Sequence, residues 1–382
     1  MITLKFKLYQ HKRNKYLKRS INAAGVIYNH CIALHKRYYR RYGKHLNCAQ
    51  LQAHIAKLRK RNPFWQLVGS QAVQDICQRI EKGYQLFFKG HNKGVRPPNF
   101  KKVKKYKSFT LKQAGYKFLG GNRIKIGGRV YQYWNSRDIE GTVKTLSIKR
   151  TPTGDLFMVV VVDSVIESCI QFETGKSAGF DFGLKTFLTC SEGFSIESPE
   201  FFKQSINVVR KASKQHSRKM KGSSNREQAR LNLARKHEDI VNQRKDWFWK
   251  LAHDLTNQFD VLCFETLNLK GMKRLWGRKV SDLALRDFLD ILEWVAKKKG
   301  KQVVYIDPWY PSSKTCSGCA HVLEKLDLSV RRWRCPSCGC ENDRDGNASI
   351  NIKIHAERSR SRVGVSTLGL GDVRQAQLAI PA

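Results

Sequence analysis

Four cysteines near the carboxyl end of the chain have the spacing of a zinc site. Cys316 and Cys319 form one Cys-x-x-Cys pair, and Cys335 and Cys338 form a second pair after 15 intervening residues. This spacing is typical of a zinc ribbon, in which two tight turns each offer two thiolates to one tetrahedral Zn²⁺ ion. Four thiolates leave no coordination position open, so we expect one structural zinc ion. Unrelated buried or disulfide-bonded cysteines are the alternative, and Cys340 is left outside the predicted site because its spacing does not fit.

Three carboxylates lie within or next to apolar segments of the chain. Asp181 lies in the apolar run 178–183 and should sit in the middle of a sheet, Glu265 ends the apolar run 260–264, and Asp345 opens a helix that follows the cysteines. Burying a lone carboxylate is costly unless it is paired or binds a metal ion. Together the three predict a site for two divalent ions, about 3.5 to 4 Å apart, that hydrolyses phosphodiesters. Taken alone, Asp345 could equally be a helix cap or a surface acid.

The charge of the chain indicates a polyanionic partner. Its 382 residues contain 72 Lys and Arg against 31 Asp and Glu, which gives a formal net charge of +41. A compact protein with this excess repels itself unless a polyanion neutralises it, which favours nucleic acid, with an anionic membrane as the weaker alternative. The first 20 residues are too basic to read as a signal peptide, and the longest apolar run, 156–162, is too short to cross a bilayer and predicts a buried strand. Eleven cysteines without a secretory signal indicate a reducing compartment.

The first third of the chain predicts a helical surface that binds nucleic acid. Residues 1–137 contain two acids, Asp75 and Glu81. Residues 2–8 alternate as a strand would, and a helix follows that ends in tyrosines interleaved with basic residues, among them Arg40 and Arg41. Such a mixture can contact phosphates and stack on bases, and an ordinary solvated helix face is the alternative. The apolar stripe of this helix comprises Leu17, Ile21, Ala24, Tyr28 and Cys31.

A second basic helix is predicted to begin near Ser70. Three short polar residues in its first turns lie outside the apolar stripe and could read base edges: Ser70, Gln71 and Gln74. Helix capping by Ser70 is an equally weighted alternative. Further along, a basic segment interrupted by two prolines is expected to lie against phosphates, and it includes Lys101, Lys102, Lys104 and Lys105.

Strand patterns dominate the next part of the chain. Residues 106–166 read as short strands between Gly-rich turns, which favours a small β-barrel. If the strand at 2–8 joins that barrel, the helical segment at about 10–92 is an insertion within it. Hairpin-linked strands are then expected at 178–183, 186–190 and 193–196. Two basic helices follow with a break at 222–225, where Asn225 and Gln228 can form a capping box.

At the carboxylates and cysteines the chain resembles TnpB, a family of transposon-encoded RNA-guided DNA endonucleases regarded as ancestors of the type V CRISPR effectors. The resemblance covers most of the chain and rests on Gly179-Phe-Asp181-Phe-Gly183, Phe264-Glu265-Thr-Leu-Asn-Leu-Lys-Gly-Met272, the four cysteines and Asp343-Arg-Asp345-Gly-Asn347-Ala348. It implies a RuvC-like nuclease with Asp181, Glu265 and Asp345 as its metal-binding triad. Small departures from the family pattern stand at Asn342, Thr266 and Ala320, and none removes a metal ligand.

The fold class that follows is α/β multidomain. The resemblance implies a RuvC-like nuclease domain of the RNase H fold with an inserted zinc ribbon, plus a small β-barrel wedge domain interrupted by a helical recognition domain. The predicted boundaries are 1–9 and 93–170 for the wedge β-barrel, 10–92 for the recognition domain, 171–310 and 342–363 for the nuclease, 311–341 for the zinc ribbon and 364–382 for a disordered tail.

The implied function is cleavage of double-stranded DNA next to a short transposon-adjacent motif, directed by a guide RNA from the transposon end. Two Mg²⁺ ions held by Asp181, Glu265 and Asp345 would activate water and stabilise the departing 3′ oxygen, with Asp181 bridging both ions. We expect a monomeric protein with one RNA in the prokaryotic cytoplasm, associated with the nucleoid when bound to DNA and not with a membrane.

Three other classes of protein share part of this pattern. A guide-RNA-dependent DNA-binding regulator with a dead nuclease would have lost carboxylates that are intact here. A transposase normally ends its carboxylate triad with Glu on a helix, whereas the order here is Asp, Glu, Asp. A non-catalytic zinc-ribbon RNA-binding protein leaves Asp181 and Glu265 in apolar strands unexplained.

Overall fold

The computed structural model describes residues 1–90, 94–163 and 172–362. The chain divides into two compact units, Met1–Val165 and Ile166–Ala382. The predicted disordered tail at 364–382 lies outside the described residues, as do residues 164–166 at the end of the predicted β-barrel segment. No helix among the described residues is both long and apolar enough to span a membrane.

The helices of the amino-terminal unit follow its first strand. Their bounds are α1 (Asn14–Tyr42), α2 (Cys48–Arg61), α3 (Pro63–Gln66) and α4 (Ser70–Gly90). The stripe predicted for the first helix is buried in full, and α4 begins at Ser70 as predicted. The helix α2 was not predicted, because its two buried apolar residues, Leu51 and Ile55, form too short a stripe to recognise. Its start is marked by a capping box between Asn47 and Gln50.

Seven strands of the amino-terminal unit are described, and they form two antiparallel sheets. One has the order β1-β7-β6-β2 and the other the order β3-β4-β5. The strands predicted at 2–8 and 156–162 are confirmed, and Leu4 pairs with Val160 where they meet. The bounds are β1 (Ile2–Lys7), β2 (Ser108–Leu111), β3 (Tyr116–Phe118), β4 (Arg123–Ile126), β5 (Arg129–Gln132), β6 (Thr142–Arg150) and β7 (Leu156–Asp163).

The carboxyl-terminal unit is built on a mixed sheet of order β10-β9-β8-β11-β12. The strands β8, β9 and β10 are antiparallel, whereas β11 runs parallel to both β8 and β12. The strand bounds are β8 (Ser177–Asp181), β9 (Thr186–Cys190), β10 (Ser195–Glu197), β11 (Val261–Glu265) and β12 (Gln302–Ile306). A small hairpin of β13 (Arg332–Arg334) and β14 (Glu341–Asp343) follows. The helices are α5 (Phe201–Arg218), α6 (Ser224–Gln258), α7 (Leu269–Leu283), α8 (Leu285–Lys298) and α9 (Arg344–Arg362).

Asp181 lies on β8, the central strand of the sheet, in agreement with the predicted mid-sheet position, and it is the last residue of that strand. One sequence prediction for this unit needs correction. The cap of α6 is Ser223 and not Asn225, because the helix begins at Ser224 and the Ser223 hydroxyl accepts the backbone N–H of Arg226 at 3.1 Å.

The central strands are apolar because both faces of the sheet are covered. In β11, Leu262 and Phe264 pack into a cluster with residues of α6 and α8 such as Phe288. The alternate residue Cys263 points to the other face and packs against Ile352 of α9. The period of two along a strand therefore places α9 against one face and the larger apolar cluster on the other.

The helix α9 approaches β8 closely at Gly179. A Cβ atom at this residue would lie 2.1 Å from the backbone oxygen of Ser349 and 2.6 Å from the backbone nitrogen of Lys353. Both atoms belong to the backbone of α9 and cannot rotate away as a flexible side chain could. Glycine at this position therefore sets the distance between α9 and the sheet.

We predict that Gly179→Ala destabilises the carboxyl-terminal unit by about 1–3 kcal/mol or more, because α9 has to shift to make room for a methyl group. The control is Gly277→Ala in α7, where a Cβ meets nothing within 4 Å and alanine favours the helix. Urea unfolding of both full-length variants measures the difference. Equal stability of Gly179→Ala and the unchanged protein would contradict the close approach.

Candidate active site and metal centre

Two of the predicted carboxylates end neighbouring parallel strands. Asp181 is the last residue of β8 and Glu265 is the last residue of β11. Phe180 pairs with Phe264 in the register of these strands, so the two carboxylates follow one residue beyond a matched pair. Because parallel strands end at the same edge of the sheet, the side chains emerge side by side.

The third carboxylate is supplied by a helix. Asp345 lies in the first turn of α9, which packs on β8 at Gly179. The start of the helix is fixed by Asp343, whose Oδ1 accepts the backbone N–H of Gly346 at 3.0 Å. Asp343 therefore acts as the cap, which leaves the carboxylate of Asp345 available at the sheet edge.

The three carboxylates interact electrostatically. The pKa of Asp181 is raised to about 8, first by burial and then by the negative charges of Glu265 and Asp345, against smaller opposing effects of the Phe182 backbone and Arg344. Burial also raises the pKa of the Glu265 carboxyl. A site that makes carboxylates this reluctant to ionise gains from a bound divalent cation, and carboxylate oxygens are the ligands that Mg²⁺ prefers.

A basic residue missed by the sequence analysis contacts this site. Nη1 of Arg331 lies 3.3 Å from Oδ1 of Asp345. The backbone oxygen of Arg331 accepts the N–H of Arg344 at 2.8 Å, and the Arg344 guanidinium binds the carbonyl oxygen of Asp327 at 2.6 Å. An arginine among many on a strongly basic chain gave no signal in the sequence.

A set of hydrogen bonds that the sequence analysis did not predict joins the two halves of the site. Oγ1 of Thr266, next to Glu265, donates to the carbonyl oxygen of Ile306 at 2.7 Å. At the other end of the 306–315 segment, the buried amides of Asn347 and Asn351 on α9 donate to the carbonyl oxygen of Thr315 at 2.7 and 2.6 Å. The 306–315 segment therefore connects the strand that carries Glu265 to the helix that carries Asp345. The spacing of four between the two asparagines could have been recognised as one helix face.

The structure brings the four predicted cysteines together. All four Sγ atoms lie within 4.8 Å of one another, with Cys316 and Cys338 at 3.7 Å and Cys319 and Cys335 at 3.6 Å. A tetrahedron with Zn–S bonds of about 2.3 Å has edges of about 3.8 Å, so the cluster fits a zinc ion. The thiol of Cys340 is outside this cluster.

Hydrogen bonds prepare the cluster for a cation. Burial raises the pKa of the Cys316 thiol, but backbone N–H groups of Cys319 and Gly318 and the amide of Asn342 outweigh burial and lower that pKa to about 6. The thiolate form, which binds metal, is therefore favoured at neutral pH. The backbone N–H of Ser317 in the same turn donates to Oδ1 of Asn347 at 2.8 Å, so the zinc turn is tied directly to α9.

Among the described residues, the four cysteines are the one set of three or more His, Cys, Asp or Glu side chains whose ligand atoms all lie within 4.8 Å of one another. The carboxylates of Asp181, Glu265 and Asp345 do not form such a tight group, and Nη1 of Arg331 lies 3.3 Å from Oδ1 of Asp345.

The residues that depart from the TnpB pattern have structural roles. Asn342 is buried and donates to Sγ of Cys316 at 3.6 Å and to the carbonyl oxygen of Cys340 at 3.3 Å. Thr266 makes the bond to Ile306 described above. Ala320 has a φ of 62°, a left-handed conformation that favours glycine, so this departure carries a local strain.

The predicted nucleic-acid contacts lie in the amino-terminal unit. Arg40 and Arg41 are exposed in the last turn of α1, and Lys101, Lys102, Lys104 and Lys105 are exposed before β2. Ser70 and Gln74 line a groove of about 360 Å³ between α2 and α4, together with Ala49, Ala53 and Arg59. Gln71 is half-buried beside them and does not line this groove.

Two family models match the chain. The model described as "Probable transposase", OrfB of IS605, matches residues 164–275, and the model described as "Cas12f1-like, TNB domain" matches residues 286–352. The first range contains Asp181 and Glu265. The second contains the cysteine cluster and Asp345.

The chain is also similar to proteins of several organisms. A "Putative RNA-guided DNA endonuclease" of Streptomyces pristinaespiralis is 28% identical over 340 residues, which is 87% of this chain and 83% of that protein. A protein of Escherichia coli K12 with the same description is 22% identical over 84% of this chain and 83% of its own length. The TnpB-like protein L79 of Acanthamoeba polyphaga mimivirus is 31% identical over 46% of this chain and 36% of its own length.

A solved structure shares the fold. The structure described as the Cas12f1-sgRNA-target DNA complex superposes with a TM-score of 0.55 at 16% identity, over 90% of this chain and 83% of that one. The likeness supports the α/β multidomain fold that the sequence predicted.

The raised pKa of Asp181 predicts a pH-dependent stability. Its usual value is 3.8 and its value in the folded chain is about 8, so the folded chain holds the proton more tightly than the unfolded chain. This contribution is present in full below about pH 4 and is lost as the pH rises to about 8. In buffer without Mg²⁺, we expect Asp181→Asn to show a smaller fall in the urea midpoint between pH 5 and pH 8 than the unchanged protein.

The matched control is Asp254→Asn, which removes an exposed carboxylate of the same unit. It should retain the pH dependence of the unchanged protein. Identical slopes for Asp181→Asn and the unchanged protein would show that Asp181 is not held in its protonated form by the fold.

Proposed function

We propose that this chain, a member of the TnpB family, is an RNA-guided DNA endonuclease that cleaves double-stranded DNA beside a short transposon-adjacent motif. The observation that carries the proposal is the convergence of Asp181, Glu265 and Asp345 at one edge of a mixed sheet, next to a cysteine cluster that fits zinc. Relatives described as RNA-guided DNA endonucleases match more than four-fifths of the chain, which supports the same assignment.

Two Mg²⁺ ions held by Asp181, Glu265 and Asp345 would supply an activated water and a counter-charge for the departing 3′ oxygen. For Asp181 to bind a cation, its carboxyl has to release the proton that burial favours. Asp345 has to exchange the guanidinium of Arg331 for the cation. The Arg331 side chain is then available beside the site, where it can contact a phosphate of the bound strand.

The zinc ion, held by Cys316, Cys319, Cys335 and Cys338, has a structural role in this proposal. Four thiolates leave no position for a substrate. The turn that contains Cys316 is joined through Ser317 to Asn347, and Asn347 lies two residues after Asp345 on α9. Zinc binding therefore supports the helix that carries a catalytic carboxylate.

The amino-terminal unit supplies nucleic-acid contacts in this proposal. Residues 10–92 would form the recognition domain, and residues 1–9 and 93–170 the wedge β-barrel. The nuclease would comprise 171–310 and 342–363, with the zinc ribbon at 311–341. The exposed cations at Arg40, Arg41 and 101–105 suit phosphate binding, and the groove lined by Ser70 and Gln74 suits readout of the adjacent motif.

Base pairing with the guide would supply most of the sequence choice. The guide RNA from the transposon end and the target DNA would neutralise much of the formal charge of +41. We propose one RNA bound to a monomer that acts on DNA in the prokaryotic cytoplasm.

The test is to express the chain with its transposon end, sequence the RNA that copurifies, and reprogram its guide segment against a plasmid. Cuts that follow the new guide and require Mg²⁺ are expected. Replacing Asp181, Glu265 or Asp345 with Ala should lower the cleavage rate at least about 100-fold while guided binding persists, since loss of an outer partner of a metal ligand already costs about 10- to 100-fold.

The control variant is Glu324→Ala, which removes an exposed carboxylate from the zinc-ribbon segment. It should cleave at the unchanged rate. Cuts that ignore the guide would favour an ordinary nuclease or a transposase. Guided binding without any cleavage by the unchanged protein would favour a DNA-binding regulator.

A further inference from the structure

The residue Trp309 is unusually exposed. Its relative exposure is 89%, the highest among the large apolar side chains in the described ranges. An indole ring is costly to leave in water, and Trp is enriched at binding surfaces because one flat face can cover a partner. Other exposed tryptophans have aromatic neighbours: Trp294 is 37% exposed and its ring lies 5.2 Å from that of Trp249.

The position of Trp309 relates it to the carboxylates. Ile306, the last residue of β12, pairs with Glu265 in the parallel register, and Thr266 binds the carbonyl oxygen of Ile306. Three residues of extended chain span at most about 11 Å, so Trp309 lies within that distance of the sheet edge where Glu265 ends. Trp309 also lies inside the 306–315 segment, whose other end is held by Asn347 and Asn351 of α9.

The backbone around Trp309 is held in place. Its N–H donates to Oδ1 of Asp307 at 2.7 Å, and the N–H of Tyr310 donates to the carbonyl oxygen of Asp307 at 3.2 Å. The ring of Tyr310 packs on His355 of α9 with centroids 4.2 Å apart. The indole is therefore presented to solvent by a turn that is fixed on both sides.

We propose that Trp309 is a stacking platform for one unpaired base of the DNA strand that enters the carboxylate site. Three observations indicate a base as the partner of Trp309: the indole offers a flat apolar face, it lies close to the carboxylates, and the formal charge of +41 attracts nucleic acid. A strand can reach the three carboxylates only when its phosphate backbone passes the end of the sheet, where a single base can turn onto the indole. This inference rests on the proposed nuclease function and adds a residue that positions the substrate.

The test uses the full-length chain with its copurified RNA, without Mg²⁺, and a single-stranded oligothymidine probe that contains one 2-aminopurine. Stacking of that base on an indole quenches its fluorescence. We expect Trp309→Ala to weaken probe binding by about 5- to 150-fold, the range for one base stacked on an aromatic ring, and to lose the quenching. Trp309→Phe should keep most of the affinity, because phenylalanine retains a ring.

The matched control is Trp294→Ala, which removes a partly exposed tryptophan of the same unit and should leave binding and quenching unchanged. Equal quenching and affinity in Trp309→Ala and the unchanged protein would overturn the proposal, and so would an equal loss in Trp294→Ala. A change in self-association on sedimentation, without a change in fluorescence, would also overturn it and would identify a second copy of the chain as the partner of Trp309.

An assay of guided cleavage distinguishes a failure of this proposal from a failure of the proposed function. If the unchanged protein cuts guided DNA, Trp309→Ala should cut more slowly while binding the guide-matched duplex as before. If the unchanged protein does not cut, the nuclease assignment fails, whereas the fluorescence result still decides whether Trp309 stacks on a base.

Discussion

The contact between α9 and β8 at Gly179 is the constraint on which the carboxylate site depends. Asp181 and Glu265 come from adjacent parallel strands and would lie side by side in any such sheet. Asp345 comes from a helix more than 70 residues further along the chain, and it reaches the site because nothing larger than a hydrogen atom separates the helix backbone from the strand. Burial raises the pKa of both Asp181 and Glu265, the charges of Glu265 and Asp345 raise that of Asp181 further, and a divalent cation would relieve this unfavourable environment.

The zinc cluster and the carboxylate site form one connected arrangement in the carboxyl-terminal unit. Asn347 accepts the N–H of Ser317 in a zinc turn and donates to Thr315, and Asn351 makes the same contact to Thr315. These buried amides leave α9 little freedom to turn or slide. A zinc ion bound by the four cysteines would therefore also orient Asp345, for which we propose a catalytic role.

Sequence reasoning found the parts that have a strong local pattern. Paired cysteines, the apolar strand that ends in Glu265, and the stripe of α1 each follow from spacing alone. The pairing of Arg331 with Asp345 could not be found, because it joins two side chains brought together by the ribbon turn on a chain rich in arginine. The position of Asp181 at a strand end was missed because periodicity does not locate the last hydrogen-bonded residue. Trp309 was overlooked because exposure cannot be read from a lone aromatic residue.

The central claim is that Asp181, Glu265 and Asp345 together hold divalent cations. Crystals grown with Mn²⁺, measured at its absorption edge, test this claim most directly, because anomalous scattering locates the ions without reference to activity. The account predicts two peaks about 3.5 to 4 Å apart that are bound by these carboxylates, with the guanidinium of Arg331 displaced from Asp345. Peaks elsewhere in the molecule, and none at this edge of the sheet, would contradict it.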